Sequence, residues 1–223
     1  MLTATPRILV TGFEPFGGAE LNPSWMLAQA LHGRQIARHR IVAAQLPTVF
    51  DLSAQRLGAL LRRHRPALVV CLGLAAGRSA MSLERVAINV NDARIPDNRG
   101  AQPVDGPVVR GGPSAYFSSL PVKAMLQAMR DAGIAAELSN SAGTFVCNHV
   151  FYALMHQLAT RRGLRGTRGG FVHLPCLPQQ MAALGSAHGM ALADMVRGLE
   201  LGIRAAVAHT APQDLALAAG ATH

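Results

Sequence analysis

One cysteine of this chain stands at the start of a predicted helix, a setting that suits a nucleophile. Cys147 follows a small, polar segment, residues 139–144. Behind it, apolar residues recur with helical spacing, at Val150, Leu154 and Leu158. The unpaired N–H groups of a helix's first turn favour a thiolate over a thiol and can donate to a developing oxyanion. The sequence therefore indicates Cys147 as a nucleophile.

The other two cysteines have settings that favour packing over chemistry. Cys71 lies inside an all-apolar segment and is typical of a small buried hydrophobe. Cys176 lies between two prolines, with no helix start that would favour its thiolate. Three cysteines without framework spacing argue against a disulfide scaffold, so we expect a reducing compartment and a cytoplasmic protein.

A histidine is the expected base for such a nucleophile. His173 ends the apolar run 171–174, at the strand end where a catalytic base is expected, although from this position alone a hydrogen-bonded structural histidine is the simpler interpretation. His149 lies two positions after Cys147 and therefore faces another side of the helix. His149 and His156 share a helix face, but without a partnering carboxylate they predict no metal site.

A carboxylate would orient the imidazole and stabilise its cation. Glu84 stands out because it directly precedes a predicted strand and closely follows the glycine-containing loop 73–77. The alternatives are three aspartates in or just before the long loop 94–113, namely Asp92, Asp97 and Asp105. Each of them could equally cap a turn. From the residues alone this choice stays open.

The elements that must position these groups alternate along the chain. Strands are predicted at 8–10, 41–46, 67–72, 86–91, 136–139 and 170–174, and helices at 24–31, 50–64, 123–133, 147–161 and about 187–209. This alternation predicts one α/β domain over residues 1–223, a three-layer α/β/α sandwich around a mixed, largely parallel sheet. Residues from about 210 to 223 are expected to fray. Sites in such sheets form outside the carboxyl ends of strands.

Charge and hydropathy exclude two classes of partner. The net charge of +9 comes from scattered arginines near the ends of predicted helices, and aromatic residues make up only 4% of the chain. A stacking surface for nucleic acid is therefore not predicted. The longest apolar run, residues 67–76, falls short of the about 20 residues that span a bilayer. The start of the chain lacks the pattern of a signal peptide.

The loop after the first predicted strand, residues 12–18, contains three glycines and two phenylalanines. It matches no phosphate-binding motif, and Phe13 and Phe16 suggest an apolar wall for a small ligand, or else plain core packing. A phosphate-using enzyme and a non-catalytic binding protein are the two competing classes. Phosphate dependence would favour the first, and a Cys147 unreactive toward alkylating reagents would favour the second.

Several long motifs, in order along nearly the whole chain, resemble the pyroglutamyl peptidase I family of cysteine peptidases. They are VTGFEPFGG at 10–18, NPS at 22–24, ERVAINVNDARIPDN at 84–98, GPSAYFSSLP at 112–121, SAGTFVCN at 141–148 and FVHLP at 171–175. The resemblance implies an exopeptidase that acts on peptides with N-terminal pyroglutamate, uses no cofactor, and forms a homodimer or homotetramer.

The resemblance also implies roles for individual residues. Glu84, Cys147 and His173 would form the catalytic triad, which selects among the carboxylates that spacing left open. Arg94 would hold the scissile carbonyl or its oxyanion. The specificity pocket would be lined by Phe13, Phe16, Thr48, Ile95, Phe145 and Val146. Leu74 stands where the family usually has glutamine, within a segment that would also contact the substrate.

Overall fold

The computed structural model describes residues 5–220, which form an α/β fold. The strands are β1 (Arg7–Phe13), β2 (Gln35–Ile36), β3 (His39–Leu46), β4 (Leu68–Leu74), β5 (Met81–Glu84), β6 (Val86–Ile88), β7 (Ala115–Phe117), β8 (Ala136–Ser139) and β9 (Arg168–Leu174). The helices are α1 (Pro23–Leu31), α2 (Leu52–His64), α3 (Val122–Asp131), α4 (Val146–Thr160) and α5 (Leu192–Ala208). Short 3-10 helices occur at Arg162–Leu164 and Pro178–Gln180.

Seven of these strands form one mixed sheet in the order β2-β3-β1-β4-β9-β5-β8. The pairs β1–β3, β1–β4, β4–β9 and β5–β8 are parallel, whereas β2–β3 and β5–β9 are antiparallel. β6 and β7 form a separate two-stranded sheet. The predicted fold class, a mixed and largely parallel α/β sandwich, is confirmed.

Successive strand residues point to opposite faces of the sheet and pack into two hydrophobic cores, one on each face. Ile8 and Val10 of β1 pack into the core that includes α1, α3 and α5. Leu9, which points to the opposite face, packs into the core that includes α2 and α4. Because β4 is buried on both faces, its sequence is apolar throughout rather than alternating.

The structure corrects the bounds of two predicted elements and contains three strands that were not predicted, β2, β5 and β7. The predicted strand 86–91 ends at Ile88 and belongs to the small sheet, where it pairs with β7. β5 was not predicted, because it is only four residues long and its polar residues are as buried as its apolar ones. The last helix begins at Leu192 rather than near residue 187. In the preceding segment, the carbonyl of His188 accepts a hydrogen bond from the Cys176 thiol at 3.1 Å, which holds that backbone outside a helix.

Two further features concern the ends and surfaces of the fold. After Ala208 no helix or strand follows within the described residues. Asp214 nevertheless accepts hydrogen bonds from the backbone N–H groups of Lys123 and Ala124, at 2.7 and 3.1 Å, and so caps the start of α3. Among residues 5–220, no helix is long and apolar enough to cross a membrane.

Candidate active site

A small cavity opens where the parallel strands β1, β4 and β9 end. Its volume is about 150 Å³, which is smaller than the about 300–1,000 Å³ of pockets that bury drug-sized ligands. The residues that line it are Phe13, Phe16, Asn22, Thr48, Leu74, Ala142, Gly143, Thr144, Phe145, Val146, Cys147 and His173. A nucleophile candidate and a base candidate therefore share one compact, largely apolar cavity.

Glu84 and His173 are joined by a buried hydrogen bond. His173 Nδ1 lies 2.7 Å from Glu84 Oε1, and the two residues are 4% and 0% exposed. Their contact follows from the sheet register, in which His173 of β9 faces Ser82 of β5 and Glu84 lies two positions further along the same strand face. Because a carboxylate only accepts, Nδ1 carries the proton and Nε2 is left as the basic nitrogen.

Cys147 is the second residue of α4, so the predicted helix start is confirmed. Phe145 is the N-cap, and the first N–H groups of the helix have no intrahelical acceptor. Gly73 of β4, which is paired with His173 in the register, gives the thiol its space. A Cβ on Gly73 would lie 2.7 Å from Cys147 Sγ.

Burial dominates the electrostatics of the cysteine and the histidine. Burial, with a smaller contribution from the charge of Glu84, raises the pKa of the Cys147 thiol to about 12, while the Arg78 guanidinium opposes the shift. Burial also lowers the pKa of His173, against the hydrogen bond and charge of Glu84, which raise it. Burial of the thiol therefore acts against the thiolate character that the helix start favours. Burial thus favours the neutral form of both the thiol and the imidazole.

An arginine that the sequence analysis did not single out contacts the candidate carboxylate. Arg78 NH1 lies 2.8 Å from Glu84 Oε1. Its NH2 donates to the backbone carbonyl of Ser141 at 3.1 Å. The signal that could have indicated Arg78 is the need of a buried carboxylate for a compensating cation.

Most of the residues predicted for the specificity pocket lie in the cavity wall. Phe16 packs against Phe145 with ring centroids 6.3 Å apart, and Phe50 packs edge-on against Phe145 at 5.4 Å. Phe13, Thr48, Leu74 and Val146 are the other predicted residues that line the cavity. The sequence analysis missed Asn22, Ala142, Gly143 and Thr144 as lining residues, although three of them lie in the segment that leads to Cys147.

Two other predicted site residues lie outside the cavity. Arg94 and Ile95 are exposed, Ile95 by 47%, and neither lines the cavity. The local backbone explains their direction: the segment turns around the buried Asp97, whose Oδ1 accepts from the N–H groups of Arg99 and Ala101 at 2.8 and 2.9 Å. The short stretch between the buried Ala93 and Asp97 consequently faces solvent.

The aspartates that competed with Glu84 do not approach His173. Asp97 Oδ2 accepts from the N–H of Phe50 at 3.0 Å, so this residue ties the long loop to the start of α2. Asp92 is exposed and bonds to Thr144 through its backbone, at 3.0 Å. Asp105 is exposed, with a backbone φ of +47°. Glu84 is the only one of the four candidates that contacts the imidazole.

The remaining cysteine and histidine candidates are structural in their surroundings. Cys71 is fully buried, and burial raises its thiol pKa to about 12. His149 is 2% exposed, with Nδ1 3.1 Å from Asn91 Oδ1, and burial lowers its pKa to about 4. It contacts the edge of the Phe50 ring on the α2 side of α4, away from the cavity.

Comparison with known proteins points to one family. The family model described as pyroglutamyl peptidase matches residues 6–209. The pyrrolidone-carboxylate peptidase of Erwinia tasmaniensis is 50% identical over 217 residues, which cover 97% of this chain and 99% of the relative. That of Cupriavidus pinatubonensis is 53% identical over 203 residues, covering 91% and 92%. The crystal structure of Bacillus amyloliquefaciens pyroglutamyl peptidase I superposes with a TM-score of 0.89 at 41% identity, covering 94% of this chain and 100% of that chain.

Proposed function

The chain belongs to the pyroglutamyl peptidase family of hydrolases, and we propose that it removes N-terminal pyroglutamyl residues through a triad of Cys147, His173 and Glu84. Two observations support this assignment of roles. His173 is hydrogen-bonded to Glu84, and His173 and Cys147 line the same cavity. The first of these carries the proposal, since a fully buried carboxylate beside a histidine is the arrangement that orients a catalytic imidazole.

The reaction begins from a neutral thiol and a neutral imidazole. His173 Nε2 takes the proton of Cys147 as the sulfur attacks the carbonyl carbon of the pyroglutamyl residue, so that an S–C bond forms and the carbonyl oxygen becomes an oxyanion. The unpaired N–H groups at the start of α4 are fixed donors for that oxyanion. Arg94 is proposed for the same role from the family resemblance alone.

The tetrahedral intermediate then collapses to a thioester. The C–N bond breaks, and the imidazolium of His173 donates its proton to the leaving amine of the shortened peptide. Water hydrolyses the thioester with His173 again acting as base: a C–O bond forms, the S–C bond breaks, and the thiol regains its proton. Glu84 makes no bond in either step but stabilises the imidazolium in both.

Specificity is proposed to come from the shape and polarity of the cavity. Pyroglutamate is a compact lactam without a charged amine, and the rings of Phe13, Phe16 and Phe145 offer it an apolar enclosure. Backbone N–H and C=O groups of the wall would pair with the lactam. Proline has the same ring size but lacks the lactam carbonyl, so it would leave those groups unpaired, which strongly disfavours its binding.

The test is the release of fluorophore from pyroglutamyl-aminocoumarin by the purified protein, with prolyl-aminocoumarin as the matched control. We expect turnover of the first and essentially none of the second. Equal rates on both substrates would contradict the assigned specificity. Turnover retained in Cys147→Ser would contradict the assigned nucleophile.

We also propose a homodimer or homotetramer in a reducing, cytoplasmic compartment. The three cysteines are free thiols, which is what a reducing compartment maintains. Phe117 and Val104 are large apolar side chains that are 70% and 74% exposed, which would suit an interface between copies of the chain. Light scattering of the wild type and of Phe117→Ser tests the assembly, and a wild-type mass of one chain would contradict it.

A further inference from the structure

Arg78 contacts the carboxylate of the proposed triad and the segment that leads to Cys147, although it does not line the cavity. It lies in the turn after β4, where its N–H donates to the carbonyl of Ala75 at 3.0 Å. Its side chain is 24% exposed, whereas that of its partner Glu84 is fully buried. The guanidinium therefore reaches from the surface into the site.

A single oxygen of the Glu84 carboxylate makes the contacts with both His173 and Arg78. Glu84 Oε1 lies 2.7 Å from His173 Nδ1 and 2.8 Å from Arg78 NH1. Glu84 Oε2 is buried without a hydrogen-bond partner among the described residues. Arg78 is thus the second of two contacts that fix the carboxylate. Without it, His173 alone would hold Glu84, and the carboxylate could rotate about its last side-chain bond.

The second arm of the guanidinium reaches the segment that presents the nucleophile. Arg78 NH2 donates to the carbonyl of Ser141 at 3.1 Å. From there the chain runs through Gly143 and Phe145, which line the cavity, into the first turn of α4. A planar guanidinium can satisfy both acceptors at once, whereas a single ammonium is a point charge without this fork geometry.

We propose that Arg78 is a positioning residue of the hydrolytic reaction, holding Glu84 against His173 and at the same time fixing the backbone that presents Cys147. This inference rests on the triad proposed above. In this role Arg78 also compensates the negative charge of Glu84, since a buried carboxylate needs a nearby cation. Consistently, the Arg78 charge lowers the pKa of Cys147 and that of His173, opposing Glu84 at both groups.

The experiment compares Arg78→Met and Arg78→Lys with Arg85→Met. Arg85→Met is the matched control, because it also removes one cation. The Arg85 side chain donates from NH1 to Asn140 Oδ1 at 3.3 Å, next to Ser141, and makes no contact with the Glu84 carboxylate. We measure kcat and KM on pyroglutamyl-aminocoumarin against pH, and the rate at which iodoacetamide alkylates Cys147. Circular dichroism and the melting temperature verify folding.

Arg78→Met should lower kcat by about 100-fold with little change in KM, because misplacement of reacting groups costs that much while the pocket wall is unchanged. The acidic limb of kcat/KM should move to higher pH, because removing the guanidinium favours the imidazolium of His173, and alkylation should slow. Arg78→Lys should recover part of the loss, and Arg85→Met should match the wild type.

Three outcomes would overturn the role of Arg78. One is Arg78→Met within twofold of the wild type in kcat, and another is an equal loss in Arg85→Met. The third is a loss of activity without any movement of the acidic limb, which would show a merely structural contribution. A wild type that is inactive on the substrate contradicts the proposed function instead, and alkylation of Cys147 in the same variants then still decides whether Arg78 acts on the nucleophile. If Arg78→Met does not fold, the kcat and pH profile of Arg78→Lys decide.

Discussion

Gly73 and Cys147 pack so closely that no side chain fits between them. A Cβ on Gly73 would lie 2.7 Å from Cys147 Sγ and 2.8 Å from the ring of Phe171. Gly73 of β4 is paired with His173 of β9, so the space left by the missing side chain lies beside the strand that carries His173. The glycine thereby lets the first turn of α4 bring its thiol against the strand ends.

Gly73→Ala should displace the thiol or the Phe171 ring and reduce kcat/KM by at least about 10-fold, because a reacting atom moved by a fraction of an ångström loses its alignment. Overpacking should also cost about 1–3 kcal/mol in the free energy of unfolding. The measurements are turnover of pyroglutamyl-aminocoumarin and urea denaturation. Gly77→Ala is the control, since a Cβ there meets nothing within 4 Å. Wild-type kinetics in Gly73→Ala would show that the thiol has room to spare.

Alkylation should distinguish the three cysteines and report the resting state of the nucleophile. We expect iodoacetamide to label Cys147 before Cys71 or Cys176, which are both 0% exposed. Because burial raises the Cys147 pKa to about 12, the rate should climb steadily as pH rises above neutral. Mass spectrometry of peptides, taken over a pH series, checks both points. A rate that is independent of pH from about 6 upward would instead indicate a resting thiolate–imidazolium pair.

The sequence predicted the fold well where burial leaves a periodic pattern. β1, β4 and β9 are recognisable because they are apolar runs, and α4 because its apolar residues recur with helical spacing. β5 was missed because it is short and its polar residues Ser82 and Glu84 are buried, whereas alternation assigns polar residues to an exposed face.

The candidate site was predictable where local sequence sets the chemistry. Cys147 follows from its position at a helix start, and His173 from its position at a strand end. The partnership of Glu84 with His173 depends on the antiparallel pairing of β5 and β9, which no local pattern encodes. The contact of Arg78 with Ser141 depends on the parallel pairing of β5 and β8. The outward direction of Arg94 depends on the turn around Asp97. Desolvation of Cys147 likewise arises only when the chain is folded.

Asp97 should make the stability of the folded protein depend on pH in the acidic range. Burial alone would raise the pKa of its carboxyl, but the N–H groups of Phe50, Arg99 and Ala101, together with the Arg99 charge, lower it below its ordinary value. A carboxyl whose pKa is lower in the folded state contributes stability that is present above its unfolded pKa and is lost as pH falls through the folded one. Asp97→Asn should therefore reduce the melting temperature at pH 7, and the difference from wild type should shrink below about pH 4.

Asp105→Asn is the matched control for Asp97→Asn. Asp105 lies in the same loop, is exposed, and has a φ of +47°, a conformation that asparagine tolerates. We expect its melting temperature to follow the wild type at every pH. A difference between Asp97→Asn and wild type that stays constant from pH 7 to pH 3 would contradict the charge-dependent part of this prediction.

Glu84→Gln should separate the charge of the carboxylate from its shape. Because Oε1 makes both the hydrogen bond with His173 and the ion pair with Arg78, and Oε2 accepts no hydrogen bond, an amide can place its oxygen at the first position and its nitrogen at the second. The imidazole then keeps its orientation and loses the negative charge that supports its cation. We expect kcat/KM to fall by about 10- to 100-fold, which corresponds to about 1.4–2.8 kcal/mol. His173→Ala, which removes the base itself, should lose at least about 10³-fold.

The pH profile of Glu84→Gln gives the sharper test. Glu84 raises the pKa of His173 through its hydrogen bond and its charge, so removing the charge should move the acidic limb of kcat/KM to lower pH. This direction is opposite to the one expected for Arg78→Met, whose lost charge is positive. The pH profiles of the wild type and both variants, recorded on one substrate, therefore show whether each charge raises or lowers the pKa of His173. If Glu84→Gln matched the wild type in both rate and pH dependence, Glu84 would not be the partner that stabilises the His173 cation.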